Sequence, residues 1–141
     1  MIDGLHASTS LRALERSLQY MSARHRLLAA NIANIETPGY RPMDVSPQAF
    51  QAALRDAIES GRTGQGGSLA FDESAPIAFT ESGTLLKPEV LSENIMFHDG
   101  NDRSMERLMQ KLTENVYTFR MASQMLRNQF ETLNTAIRER F

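Results

Sequence analysis

The spacing of apolar residues at the two ends of the chain constrains its fold more than any other feature. Leu11, Leu14, Leu18, Met21, His25, Leu28, Ile32 and Ile35 follow at intervals of 3, 4, 3, 4, 3, 4 and 3 residues. A mean repeat of about 3.5 residues puts all of them on one stripe of an α-helix, the seam of a coiled coil. Near the other end Met105, Met109, Leu112, Val116, Phe119, Ser123, Leu126, Phe130, Leu133 and Ile137 alternate between 4 and 3 in the same way. At ~1.5 Å per residue the two helices would be roughly 40 and 55 Å long. The Ser8-Thr9-Ser10 cluster predicts the N-cap of the first, and Asp102 with Glu106 the start of the second.

The middle has a different character. Ser46-Pro47 reads as an N-cap followed by proline at the first helical position. Phe50, Leu54 and Ile58 then share one face of a short amphipathic helix over 47–60, which Gly61 is expected to stop. Residues 61–68 (GRTGQGGS) read as a flexible linker, and 69–97 as loop with room for a short strand or hairpin. Ile95-Met96-Phe97 is too short to show a period, and no internal repeat is present.

The expected fold is therefore mainly α: two long terminal heptad-patterned helices forming a coiled-coil layer, with a small irregular middle segment containing one short helix. Residues 1–40, 41–101 and 102–141 are its three segments within one structural unit. Antiparallel pairing of the long helices would bring the chain ends together. One short helix cannot cover two long stripes, so the pattern favours packing against further copies. A self-contained helical bundle uses the same apolar residues and remains open.

The first stripe stops at Thr37-Pro38-Gly39-Tyr40. Pro38 biases Thr37 away from helix and donates no N–H. Pro38-Gly39 suits the centre of a type II turn, whose second position needs positive φ. Tyr40 then leaves the turn with a ring that can pack while its hydroxyl stays wet. These residues make a hard exit from the helix, and backbone physics alone favours an ordinary helix terminator.

Ala29-Ala30-Asn31-Ile32-Ala33-Asn34-Ile35-Glu36-Thr37-Pro38-Gly39-Tyr40 resembles the N-terminal signature of bacterial flagellar axial proteins, A-x-N-[IL]-A-N followed by T-P-G-Y. The resemblance covers roughly 5–45 and 97–141. The short chain, the Asp99-Gly100-Asn101 segment, Leu112 to Tyr117 and the Phe130-x-x-Leu133-x-x-Ala136-Ile137 ending make it most similar to the proximal members of the basal-body rod protein family. The usual aromatic position of that helix falls at Phe119 rather than Tyr117.

The resemblance implies a structural subunit of the hollow periplasmic rod that transmits torque. It implies export by the flagellar type III apparatus without cleavage, in keeping with a start that lacks a secretory signal pattern. The implied partners are copies of itself, other rod proteins, a FliE-type adaptor and the MS ring. The implied family motif is Asn31, Ile32, Ala33, Asn34, Thr37, Pro38, Gly39 and Tyr40. The assembly seam would be Leu11, Leu14, Leu18, Met21, Leu28, Ile32, Ile35, Met109, Leu112, Val116, Phe119, Leu126, Phe130, Leu133 and Ile137. Asn31, Asn34 and Asn115 lie off the strict seam and would bond neighbouring subunits or water.

Composition narrows the alternatives. A formal charge of −2 argues against general affinity for nucleic acid or anionic lipid. Cysteine is absent, which removes disulfides, thiolate zinc sites and a thiol nucleophile. No stretch approaches the ~18 apolar residues of a spanning helix. His6, His25 and His98 share no ligand spacing with acids, and His25 reads as a packed or partner-bonded seam residue. Asp99 to Asp102 begins like a calcium loop, but Ser104 stands where glycine is needed and Arg103 takes a ligand position. No P-loop, GxSxG or dinucleotide fingerprint occurs. No catalysis, cofactor or metal is expected. A cytoplasmic coiled-coil adaptor or export chaperone is the alternative, and cellular location separates it from a rod subunit.

Overall fold

In a computed structural model of the chain, residues 2–63, 69, 71, 75–80, 83–90 and 105–138 are described, excepting the side chains of 2–8, 62, 63, 80 and 83. The two heptad stretches form α1 (Ile2–Ala33) and α3 (Met105–Arg138), and the middle holds α2 (Pro47–Thr63) and four short strands.

α1 begins well before the expected cap. Ser8, Thr9 and Ser10 lie inside it. Hydroxyl residues survive within a helix when they bond back to a carbonyl one turn earlier, as Ser17 does on Ala13 at 2.8 Å. At its other end α1 stops at Ala33, so Ile35 is buried in the following turn and not on the helix itself. The chain tightens there: the N–H of Ile35 donates to Ile32 at 3.4 Å and that of Thr37 to Asn34 at 2.9 Å. Tyr40 N–H then closes on the Thr37 carbonyl at 3.1 Å. Gly39 at φ +76° completes the expected type II turn.

Ser46 caps α2 as expected, its Oγ accepting from Ala49 N–H at 3.3 Å and its carbonyl from Phe50 N–H at 3.1 Å. Gly61 does not stop α2, which continues to Thr63. Glycine in ordinary helical φ costs only about 1 kcal/mol, too little to end a helix by itself. Residues 64–68, the Ile95-Met96-Phe97 run, the Asp99 to Asp102 segment and the expected Asp102 cap lie outside the described residues.

The strands are β1 (Met43–Asp44), β2 (Ile77–Thr80), β3 (Gly83–Leu86) and β4 (Glu89–Val90). β2 and β3 form an antiparallel hairpin with Ile77 opposite Leu86 and Phe79 opposite Thr84. β1 pairs antiparallel with β4, Met43 opposite Val90.

α1 is the central element, with α3 and the middle segment both packed on it. Tyr20, Val45, Phe50 and Ile77 form the core, enclosed by Met21, Leu27, Leu54, Phe71, Phe79 and Leu86. The rings of Tyr20 and Phe50 stack with centroids 4.0 Å apart and planes within 6°. Arg16 covers the Phe79 ring at 4.5 Å, a cation–π contact.

α3 meets α1 through two polar anchors. Asn115 Nδ2 donates to the Met21 carbonyl at 2.9 Å. Lys111, one turn earlier in α3, lies 3.4 Å from Asp44, which is held by Arg24, about one turn later in α1. This opposite order along the two helices makes them antiparallel.

Candidate assembly site

The turn after α1 is fixed by one side chain. Asn31 is 0% exposed. Its Nδ2 donates to the Met43 carbonyl at 2.6 Å, and its Oδ1 accepts from Met43 N–H at 3.2 Å and from Tyr40 hydroxyl at 2.8 Å. The amide thus engages both backbone groups of one strand residue, as a neighbouring strand would. Asn31 was expected to bond a neighbouring subunit or water. It instead ties the first residue of β1 to α1 within the chain, because the turn folds the backbone back over the helix end. The Tyr40 hydroxyl, expected to be wet, is spent on the same amide. Asn34, just past the end of α1, donates to the Ala30 carbonyl of that helix at 2.8 Å. Asn115 also closes within the chain, on Met21. Ile32 and Tyr40 are half-buried; Ala33, Thr37, Pro38 and Gly39 are exposed.

A second network lies one strand residue on. Arg24 grips Asp44 with two parallel bonds, Nε to Oδ1 at 2.8 Å and a terminal nitrogen to Oδ2 at 2.7 Å. Asp44 also accepts from Val45 N–H at 2.8 Å and faces Lys111 at 3.4 Å. Burial alone would raise the Asp44 carboxyl, but the bonds and charge of Arg24, then Val45 N–H and Lys111, hold it below the usual carboxylate range. Burial would likewise lower Arg24, and the bonds and charge of Asp44 outweigh it and raise it. The Tyr20 hydroxyl, which donates to the Val45 carbonyl at 2.8 Å, is pushed up to about 12, chiefly by burial. These groups staple α1, β1 and α3 together.

Arg24, Asp44, Tyr20 and Lys111 do not stand out in the sequence. Asp44 is a lone acid in a short stretch and Arg24 one arginine among 13. No spacing rule links residues 20 positions apart.

The heptad residues divide unequally. Leu28 and Ile35 are buried, and Leu11, Leu14, Leu18, Met21 and Ile32 half-buried. On α3, Leu112, Val116 and Leu126 are half-buried, whereas Met109, Phe119, Phe130, Leu133 and Ile137 are exposed. The residues that α3 buries are Leu108, Asn115 and Ala122, each seven apart and each one position before Met109, Val116 and Ser123. The most buried column therefore lies about 100° round the helix from the Met109–Val116–Ser123 column of the expected seam and about 50° from its Leu112–Phe119–Leu126 column. Ala122 is small enough for close helix approach and Asn115 needs the Met21 carbonyl, so both face α1. His25 is exposed rather than packed. Beyond Leu126, every side chain from 127 to 138 is exposed.

Among the described residues no cluster of three or more His, Asp or Glu could hold a metal ion. No helix among them is long and apolar enough to cross a membrane.

No family model matches the chain. Among curated proteins it is similar to the flagellar basal body rod protein FlgB of Salmonella typhimurium, with 30% identity over 135 residues, 93% of each chain. It is 34% identical over 100 residues to that of Proteus mirabilis, covering 66% of this chain and 69% of the relative. To that of Borrelia hermsii it is 26% identical over 132 residues, 92% of this chain and 96% of the relative.

Proposed function

The chain belongs to the FlgB family of flagellar basal body rod proteins, and we propose that it is a proximal subunit of the hollow periplasmic rod that transmits torque. The observation that carries this reading is the uncovered apolar stripe of α3, Met109, Phe119, Phe130, Leu133 and Ile137. Among the described residues no element of the same chain covers it, and in a tube of side-by-side helices it becomes core.

Torque transmission needs no reaction. It needs seams that resist sliding and a subunit that does not bend between its long helices and its middle segment. The Asn31 amide and the Arg24–Asp44–Lys111 network supply that stiffness in this reading, holding β1, and with it the middle segment, at a fixed angle to α1. The partners are copies of the chain, other rod proteins, a FliE-type adaptor and the MS ring. Before assembly the distal part of α3 has little to hold it and orders on docking, which suits passage through the type III export apparatus.

The test is mass spectrometry of detergent-extracted basal bodies stripped of hook and filament. The chain is expected there with its N-terminus uncleaved. Recovery only from the cytoplasm of motile cells would refute the reading in favour of an adaptor or export chaperone.

A further inference from the structure

α3 carries a second apolar surface that the heptad stripe does not include. Tyr117, Met121 and Met125, four residues apart, are 66%, 62% and 50% exposed. Tyr117 and Met121 each lie two residues from Phe119, about 200° round the helix, so these two side chains face away from α1. Glu114 precedes Tyr117 by three residues and Met121 by seven, and so lies on the ridge.

On the other side, α1 and α3 leave a groove of about 310 Å³ between them, with Met21, Val116 and Phe119 as its apolar lining. Arg26 and Arg120 stand at this groove, both exposed, and neither forms an ion pair with a described residue.

We propose that the Glu114–Tyr117–Met121–Met125 ridge of one copy docks in the α1–α3 groove of the next. The two surfaces match in kind: an apolar ridge bearing an acid meets an apolar groove bearing two arginines that have no ion pair among the described residues. They lie on opposite sides of one helix, so a chain cannot satisfy itself. The contact is heterologous, ridge to groove, and each copy offers both halves. Repetition then gives a ring or an open helical array instead of a closed dimer. Four side chains bury far less than the ~800 Å² per partner of a stable pair. The contact therefore holds only where many copies are arrayed, and leaves the free chain monomeric. This rests on the rod reading and names one of its interfaces.

The cysteine-free sequence makes the test direct. Met121→Cys places a thiol on the ridge, and Ser22→Cys places one at the groove, which Ser22 also lines. Each single variant and the double variant are expressed in place of the parent chain, and their basal bodies are isolated and oxidised. The expected result is a ladder of disulfide-linked multimers from the double variant and monomer from each single variant. Dimers from Met121→Cys alone would mean ridge meets ridge and would overturn the proposal. So would a double variant that is present in basal bodies but gives no ladder, an outcome that leaves the rod reading standing. Absence of the parent chain from basal bodies would remove both.

Discussion

Replacing Asn31 by alanine tests the account of the turn. The amide makes three hydrogen bonds, two to Met43 and one from Tyr40, and the side chain is fully enclosed. Each bond contributes about 0.5–1.5 kcal/mol net, and removing one partner leaves the others to find water. Met43 and Tyr40 are half-buried, so water can recover part of the loss. The expected destabilisation is about 3 kcal/mol. At about 3–4 °C per kcal/mol for a domain near this size, Tm should fall by roughly 10 °C. In urea followed by far-UV circular dichroism, the midpoint should fall by about 1.5 M for a slope near 2 kcal/mol/M. Asn31→Asp is the sharper control. It keeps the shape but replaces the donor with an oxygen facing the Met43 carbonyl, and buries a charge, so it should cost at least as much as alanine. Tyr40→Phe should cost about 1 kcal/mol. Combined with Asn31→Ala, it should add almost nothing more, a coupling of about 1 kcal/mol. An Asn31→Asp protein as stable as the parent, or additive losses in the double variant, would refute the reasoning.

Asp44→Ala should destabilise by about 3–5 kcal/mol in urea denaturation, because it strands Arg24 buried without its counter-charge. Since the Asp44 carboxyl is held below its unfolded value near ~3.9, its contribution is fully present above that pH. It should be lost as pH falls from about 4 through the depressed native value, and Asp44→Asn should flatten that part of the stability–pH curve. Gly39→Ala should cost about 1–2 kcal/mol by thermal melting, because φ is +76°, while a Cβ there would touch nothing within 4 Å. Phe130→Ser should change free-chain stability by less than ~0.5 kcal/mol, the residue being 49% exposed, yet impair motility and incorporation into basal bodies. In hydrogen exchange of the free chain, amides of 127–138 should exchange within seconds while those of α1 around Tyr20 to Leu28 are protected.

The helices were legible because their signal is local. A 3–4 alternation needs no partner to be seen, and the Ser46 cap and the Pro38-Gly39 turn each depend on backbone rules spanning a few residues. What escaped is what depends on distance in sequence. Asn31 looks like a surface amide until the turn carries Met43 back over it. Arg24 and Asp44 are unremarkable until β1 lies along α1. The rotation of the buried stripe of α3 is also non-local: Asn115 and Ala122 face α1 because of a carbonyl and a close approach that α1 supplies. The helix ends differ from the sequence pattern where permissive residues suggest a boundary: Ser8-Thr9-Ser10 suggests a start and Gly61 a stop, and both lie inside their helices. The assembly surface was half legible. The pattern gives the stripe, and only the folded chain shows which part of it a single copy leaves uncovered.

The central claim is that the exposed stripe of α3 is buried between subunits in the rod. Leu133→Cys places a unique thiol on that stripe in a chain with no other cysteine. Its maleimide labelling rate, compared between the purified chain and isolated basal bodies, tests the claim directly. The account predicts ready labelling of the free chain and protection of at least about tenfold in basal bodies. Equal rates in the two, with the chain shown to be present in the basal bodies, would contradict it.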